Sequence, residues 1–75
     1  SKEETMFNHL MMSLRLVKGL DLKEFEKRYG FRAVDVYQTA IDKHLKMKTL
    51  VIENDYLHAT SESIKLLNEI LIDFL

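Results

Sequence analysis

The sequence predicts a small, mainly α-helical domain carrying one short β-hairpin. Three observations point there. Apolar residues recur at three- and four-residue spacing in several separate stretches, the mark of helices with one buried face. That period breaks between Leu50 and Ala59, where two β-prone runs flank Asn54-Asp55. Gly19 and Gly30 each follow a helical stretch and read as helix stops.

Helix one is expected over Glu3–Val17, with Phe7, Leu10, Met11 and Leu14 on its inner face. Glu3 and Glu4 suit the positive end of its dipole, and Lys18 the other end. Helix two is expected over Leu22–Tyr29. Asp21 is its cap, and Glu24 three residues on completes a capping-box-like arrangement. Leu22, Phe25 and Tyr29 share its inner face. Gly30 ends it, with Phe31 placed to fold back over the last turn. Helix three is expected over Val34–Met47, with Val34, Tyr37, Ile41 and Leu45 inward and Ala40 as a small neighbour where another helix can approach. The hairpin joins Leu50–Glu53 to Tyr56–Ala59, because Asn and Asp tolerate the positive φ of a tight turn. Thr60 then caps helix four, which runs from Ser61 to the end with Ile64, Leu67, Ile70, Leu71 and Phe74 as its stripe. The Gly-containing turn between helices two and three resembles a helix-turn-helix unit. Three helices, a two-stranded wing and a closing helix make a winged-helix-like domain over residues 1–75.

The bulk composition narrows the function. A chain of 75 residues is one domain and buries roughly 60 % of its unfolded surface, so its core is thin. Apolar content of 47 % supports a globule, and a net charge of −1 gives no general attraction to polyanions. The absence of cysteine removes disulfides, zinc–thiolate sites and thiolate-held iron–sulfur clusters from this chain, and fits a cytoplasmic location. No apolar run of about 18 residues exists, so no membrane span is expected, and no signal peptide is visible. The first residue is Ser1, not methionine, which fits a fragment of a larger protein.

No catalytic constellation emerges. His9, His44 and His58 fall on helix one, helix three and the second strand, without metal-ligand spacing, and each reads as a surface or half-buried polar residue. No GxSxG and no phosphate-cradling glycine motif is present. DNA binding is the alternative function. Lys43, Lys46, Lys48 and Arg32 could meet phosphates, and Gln38 and Thr39 could read base edges. Against it, helix three also carries Asp35 and Asp42, and the wing tip is Glu53-Asn54-Asp55. Acidic groups there oppose phosphate contact, so nucleic acid is the disfavoured partner.

Protein docking fits better. Met12 and Leu16 form an i, i+4 pair pointing away from the inner stripe of helix one, flanked by Thr5 and His9. Leu66 lies off the stripe of helix four in the same way. Either the chain's own elements cover these side chains or a partner does.

The ordered residues also resemble a known family. Leu14-Arg15-Leu16-Val17-Lys18-Gly19-Leu20-Asp21, then Phe25 and Tyr29-Gly30, are similar to the start of the C-terminal domain of oxygen-independent coproporphyrinogen III oxidase-like radical-SAM proteins. The closing part fits as well: a hairpin, Thr60, Leu67-Asn68-Glu69-Ile70 and Asp73-Phe74-Leu75. Ser63 departs from the family's usual glycine. The resemblance implies a parent that binds a 4Fe-4S cluster and S-adenosylmethionine and acts in haem biosynthesis or, in its chaperone branch, haem delivery. The CxxxCxxC motif of the parent's N-terminal barrel is absent here, and Asn8-His9 reverses the order of the chaperone's His-Asn motif. No catalytic, metal or cofactor-binding residue therefore carries over. The implied partner is the radical-SAM barrel of the same protein, with Met12, Leu16 and Leu66 as the docking residues. The short Leu-Arg…Gly form leans toward the chaperone branch.

Overall fold

The computed structural model describes residues 1–75. Its elements are α1 (Lys2–Leu14), β1 (Leu20–Asp21), α2 (Leu22–Tyr29), α3 (Ala33–Val36), α4 (Gln38–Met47), β2 (Leu50–Glu53), β3 (Tyr56–Ala59), a 3₁₀ turn (Ile64–Leu66) and α5 (Leu67–Ile72). The fold is mainly helical, with a small antiparallel sheet ordered β1-β3-β2.

Ser1 opens α1 with a reciprocal cap: its Oγ accepts the Glu4 N–H, and the Glu4 carboxylate reaches back to the Ser1 ammonium, both at 3.2 Å. The helix stops at Leu14, short of the expected Val17. Arg15, Leu16, Val17 and Lys18 are all exposed, so a further turn would bury nothing. Its buried line is Met6, Leu10 and Leu14, while Phe7 and Met11 of the expected stripe sit half-buried at the margin. The inner face is thus centred on a row of four-residue spacing that begins with the unanticipated Met6.

The chain then enters β1, a strand the sequence reading lacked. Leu20 pairs with Leu57 and Asp21 with Tyr56, which turns the hairpin into three strands. Gly19 is consequently more than a helix stop. Its φ is +88°, and a Cβ there would meet the Leu57 carbonyl oxygen and lie 2.6 Å from the His58 Cβ. Only glycine lets the backbone cross β3 this closely.

Helix α2 has its expected bounds. Asp21 Oδ1 accepts the Glu24 N–H at 3.0 Å, and that bond holds the Asp21 carboxyl below the ordinary range. Glu24 does not return the bond, because Asp21 doubles as a strand residue opposite Tyr56. Gly30 closes the helix in the left-handed conformation, φ +78°. Phe31 does not fold over the last turn; it is half-exposed, with the Lys2 ammonium 4.5 Å from its ring centroid.

Expected helix three is two helices. Tyr37 breaks it at φ −114°, ψ 38°, and the register shifts. Ala33, Ala40, Ile41 and His44 are buried, whereas Val34, Tyr37 and Leu45 pack only at the edge of the core. The Tyr37 ring turns onto Phe74, with centroids 5.6 Å apart. Burial, with Tyr29 nearby, pushes its phenol pKa up.

The hairpin forms as predicted. Leu50 pairs with Ala59 and Glu53 with Tyr56, and Asn54 and Asp55 turn at φ +51° and +65°, the signs of a type I′ turn. Thr60 caps a turn instead of a full helix. Its Oγ1 accepts the Ser63 N–H at 3.3 Å and donates to Ser63 Oγ at 2.7 Å, and the regular helix waits until Leu67. Ser63 has φ −90°, a conformation that needs no glycine, so the departure there costs no backbone strain. Ile64 is exposed, and the buried stripe begins at Leu67. No helix is long and apolar enough to cross a membrane.

Candidate functional site

A groove between α1 and α2 gathers most of the docking residues singled out in the sequence. Met12 is 68 % exposed and Leu16 is 61 % exposed. Leu16 lies beyond the end of α1, in a turn where its N–H donates to the Ser13 carbonyl at 3.0 Å. The pair is therefore not an i, i+4 pair on one helix. Both side chains nonetheless line one groove with Thr5, His9, Arg28 and Tyr29. Leu66 is also half-exposed, but it sits on the 3₁₀ turn and does not line this groove. The two places are bridged by Arg15, whose guanidinium donates to Asn68 Oδ1 at 3.4 Å.

Tyr29 of α2 lines the groove, with the buried Phe25 behind it. Phe25 and Tyr29 are one turn apart and both buried, with ring centroids 4.7 Å from each other. The His9 ring lies against both, and its Nδ1 hydrogen-bonds the Tyr29 hydroxyl at 3.0 Å. Arg28 stands over the Tyr29 ring at 5.4 Å and takes part in none of the chain's ion pairs. Sequence reasoning placed Tyr29 on the inner face of α2 and named neither Arg28 nor Tyr29 as a site residue. The inward spacing of Phe25 and Tyr29 was visible, but nothing in a single sequence ties position 29 to position 9.

His44 corrects a second expectation. It is 3 % exposed, buried more deeply than the surface or half-buried position expected for it. Its Nδ1 lies 2.7 Å from Thr49 Oγ1 and its Nε2 2.7 Å from Asp73 Oδ2. Lys43 Nζ is 2.9 Å from the same Asp73 oxygen. Hydrogen bonds from Lys43, then His44, hold the Asp73 carboxyl below the ordinary carboxylate range. A Thr-His-Asp chain has the parts of a nucleophile, a base and an orienting acid. Here the chain is closed on itself: His44 is buried, and the Thr49 hydroxyl also donates to the His44 carbonyl at 3.2 Å. The cluster ties α4, the start of β2 and the end of α5 together.

The third histidine, His58, binds elsewhere, with Nε2 2.8 Å from Glu53 Oε1. No three histidine or carboxylate groups converge as metal ligands. With no thiolate available, this donor set does not fit an iron–sulfur cluster. The surface proposed for DNA is partly neutralised internally. Lys43 is paired with Asp73 and Arg32 with Asp35 at 3.4 Å, and Lys23 holds Asp55 at the wing tip at 3.2 Å.

Comparison with known proteins adds one finding. The family model for the HemN C-terminal domain matches residues 1–65. That range runs from α1 into the 3₁₀ turn and stops short of Leu66–Leu75. No curated protein and no solved structure matches the chain.

Proposed function

The chain belongs to the HemN C-terminal domain family, a part of coproporphyrinogen III oxidase-like proteins, and on that premise we propose that it is a non-catalytic accessory domain that packs against its parent's radical-SAM barrel. The groove between α1 and α2 is the contact, with Met12 and Leu16 as anchors and Leu66 as a second contact beyond Arg15.

The observation that carries this reading is the exposure of Met12 and Leu16 in one groove lined by Tyr29. Burying what remains exposed of these two side chains supplies roughly 2–4 kcal/mol before ordering costs. A domain tethered to its partner has an effective concentration on the order of millimolar, where half-occupancy needs about 4 kcal/mol, so the anchors hold the domain docked together with the rest of the groove and Leu66. In such a protein the 4Fe-4S cluster and S-adenosylmethionine belong to the barrel, and this domain's residues shape the surroundings of the site. The DNA-binding alternative draws on the same helix order but loses support from the paired Lys43 and Arg32 and the acidic wing tip.

A photo-crosslinking amino acid placed at position 12, 16 or 66 of the full-length protein tests the proposal. Positions 12 and 16 should capture peptides of the barrel, and Lys46, exposed on α4, should not. Capture of no barrel peptide from either position 12 or 16 refutes it.

A further inference from the structure

We propose that the groove between α1 and α2 receives a barrel surface that presents a carboxylate side chain beside an apolar one, with Arg28 pairing the carboxylate and Met12 and Leu16 covering the apolar group. This rests on the docking reading above and names the chemistry of the occupant.

The charge distribution around α1 supports it. The groove's lining holds one cation, Arg28, and no carboxylate. A second apolar depression borders α1, between Met6, Phe7, Val36 and Phe74; its lining holds Glu3 and Glu4 and no cation. Two apolar grooves beside one helix thus carry opposite charge. A carboxylate-bearing surface is attracted to the first and repelled from the second, which selects one seating over the other.

Arg28 is suited to this role. Arg28 is engaged by no acid of the chain, and among the cations without an acid partner it is the one that lines this groove. Its guanidinium stands over the Tyr29 ring, and a guanidinium placed on an aromatic face keeps its fork of N–H donors for a bidentate carboxylate. His9 offers a second donor in one tautomer. When the Tyr29 hydroxyl donates to His9 Nδ1, the ring proton resides on Nε2, which makes no hydrogen bond within the chain.

The test uses the full-length protein and reads amide hydrogen exchange at Arg15–Lys18, the exposed residues around Leu16. Protection there scales with the docking equilibrium. Arg28→Gln should speed exchange on the order of tenfold and Arg28→Glu further, with Arg28→Lys between wild type and Arg28→Gln, since a lysine keeps the charge but loses the bidentate fork. Exchange from the β2 and β3 amides reports the domain's own stability and should not change. Met12→Ser with Leu16→Ser tests docking itself. If that pair releases protection and both Arg28→Gln and Arg28→Glu leave it intact, the carboxylate inference falls and docking stands. If neither set changes it, both fall. Greater protection with Arg28→Glu, or protection that arises only on adding duplex DNA, overturns the inference as well.

Discussion

Gly19 and Gly30 share a left-handed backbone, φ +88° and +78°, but not a neighbourhood. Alanine at Gly30 meets no atom within 4 Å, so only the backbone strain counts, about 1 kcal/mol. Alanine at Gly19 carries the same strain and drives its methyl into the Leu57 carbonyl and the His58 Cβ. Strand β3 cannot yield alone, because it is paired on both sides, with β1 and with β2. Relief requires lifting β1 off β3, which pulls Leu20 from a fully buried position. Leu burial contributes about 1.5–3 kcal/mol. The Gly19 variant should therefore lose about 2.5–4 kcal/mol, a large part of the roughly 4–11 kcal/mol expected for a domain of this size. Urea unfolding followed by far-ultraviolet circular dichroism measures both variants. Gly30→Ala should lower Tm by about 4–8 °C. Failure of Gly19→Ala to fold while Gly30→Ala folds is the extreme of the same outcome. Costs within about 0.5 kcal/mol of each other would refute the close approach of Gly19 to β3.

Three further outcomes follow from the same reasoning. Lys48 ends α4 at φ +62° with its side chain exposed, so Lys48→Gly should raise stability by about 0.5–1 kcal/mol, and a fall in Tm contradicts the left-handed cap. The lowered pKa of Asp73 contributes stability above the unfolded carboxylate value of 3.8, and that contribution is lost as pH falls through the folded value. Asp73→Asn should therefore be less stable than wild type at pH 6, with the gap closing as denaturation is repeated below about pH 4; a gap independent of pH removes the ion pair as its cause. Met12→Ser with Leu16→Ser should change the isolated domain's stability by no more than about 0.5 kcal/mol per site, since both side chains are exposed; a larger loss in urea unfolding would place them in the core.

Much of the local structure could be read from neighbours in the chain. The Asp21 cap, the Gly30 stop and the type I′ turn at Asn54-Asp55 are short-range preferences, and each falls where expected. The apolar stripes of α2 and α5 follow the helical period closely. Errors arose where a distant contact overrode a local pattern. Tyr37 breaks a continuous helical pattern at the point where its ring packs on Phe74. Thr60 is the local exception: its hydroxyl engages Ser63 three residues on and holds a turn in place of the expected helix. The candidate site shows the same division. Met12 and Leu16 stood out as apolar side chains off the stripe, whereas Arg28 was one charge among many on a solvated helix face.

By itself, then, the chain's sequence determined the helical class, the hairpin, the family and the surplus of apolar side chains, because spacing, caps and turn residues act over a few positions. Only the tertiary structure decided that Leu20 adds a third strand across Leu57, that His9 rests on Tyr29, and that His44 is buried against Asp73. Each of these contacts joins residues at least 20 positions apart. Such pairings arise when whole elements pack and exclude water, and no local preference specifies them.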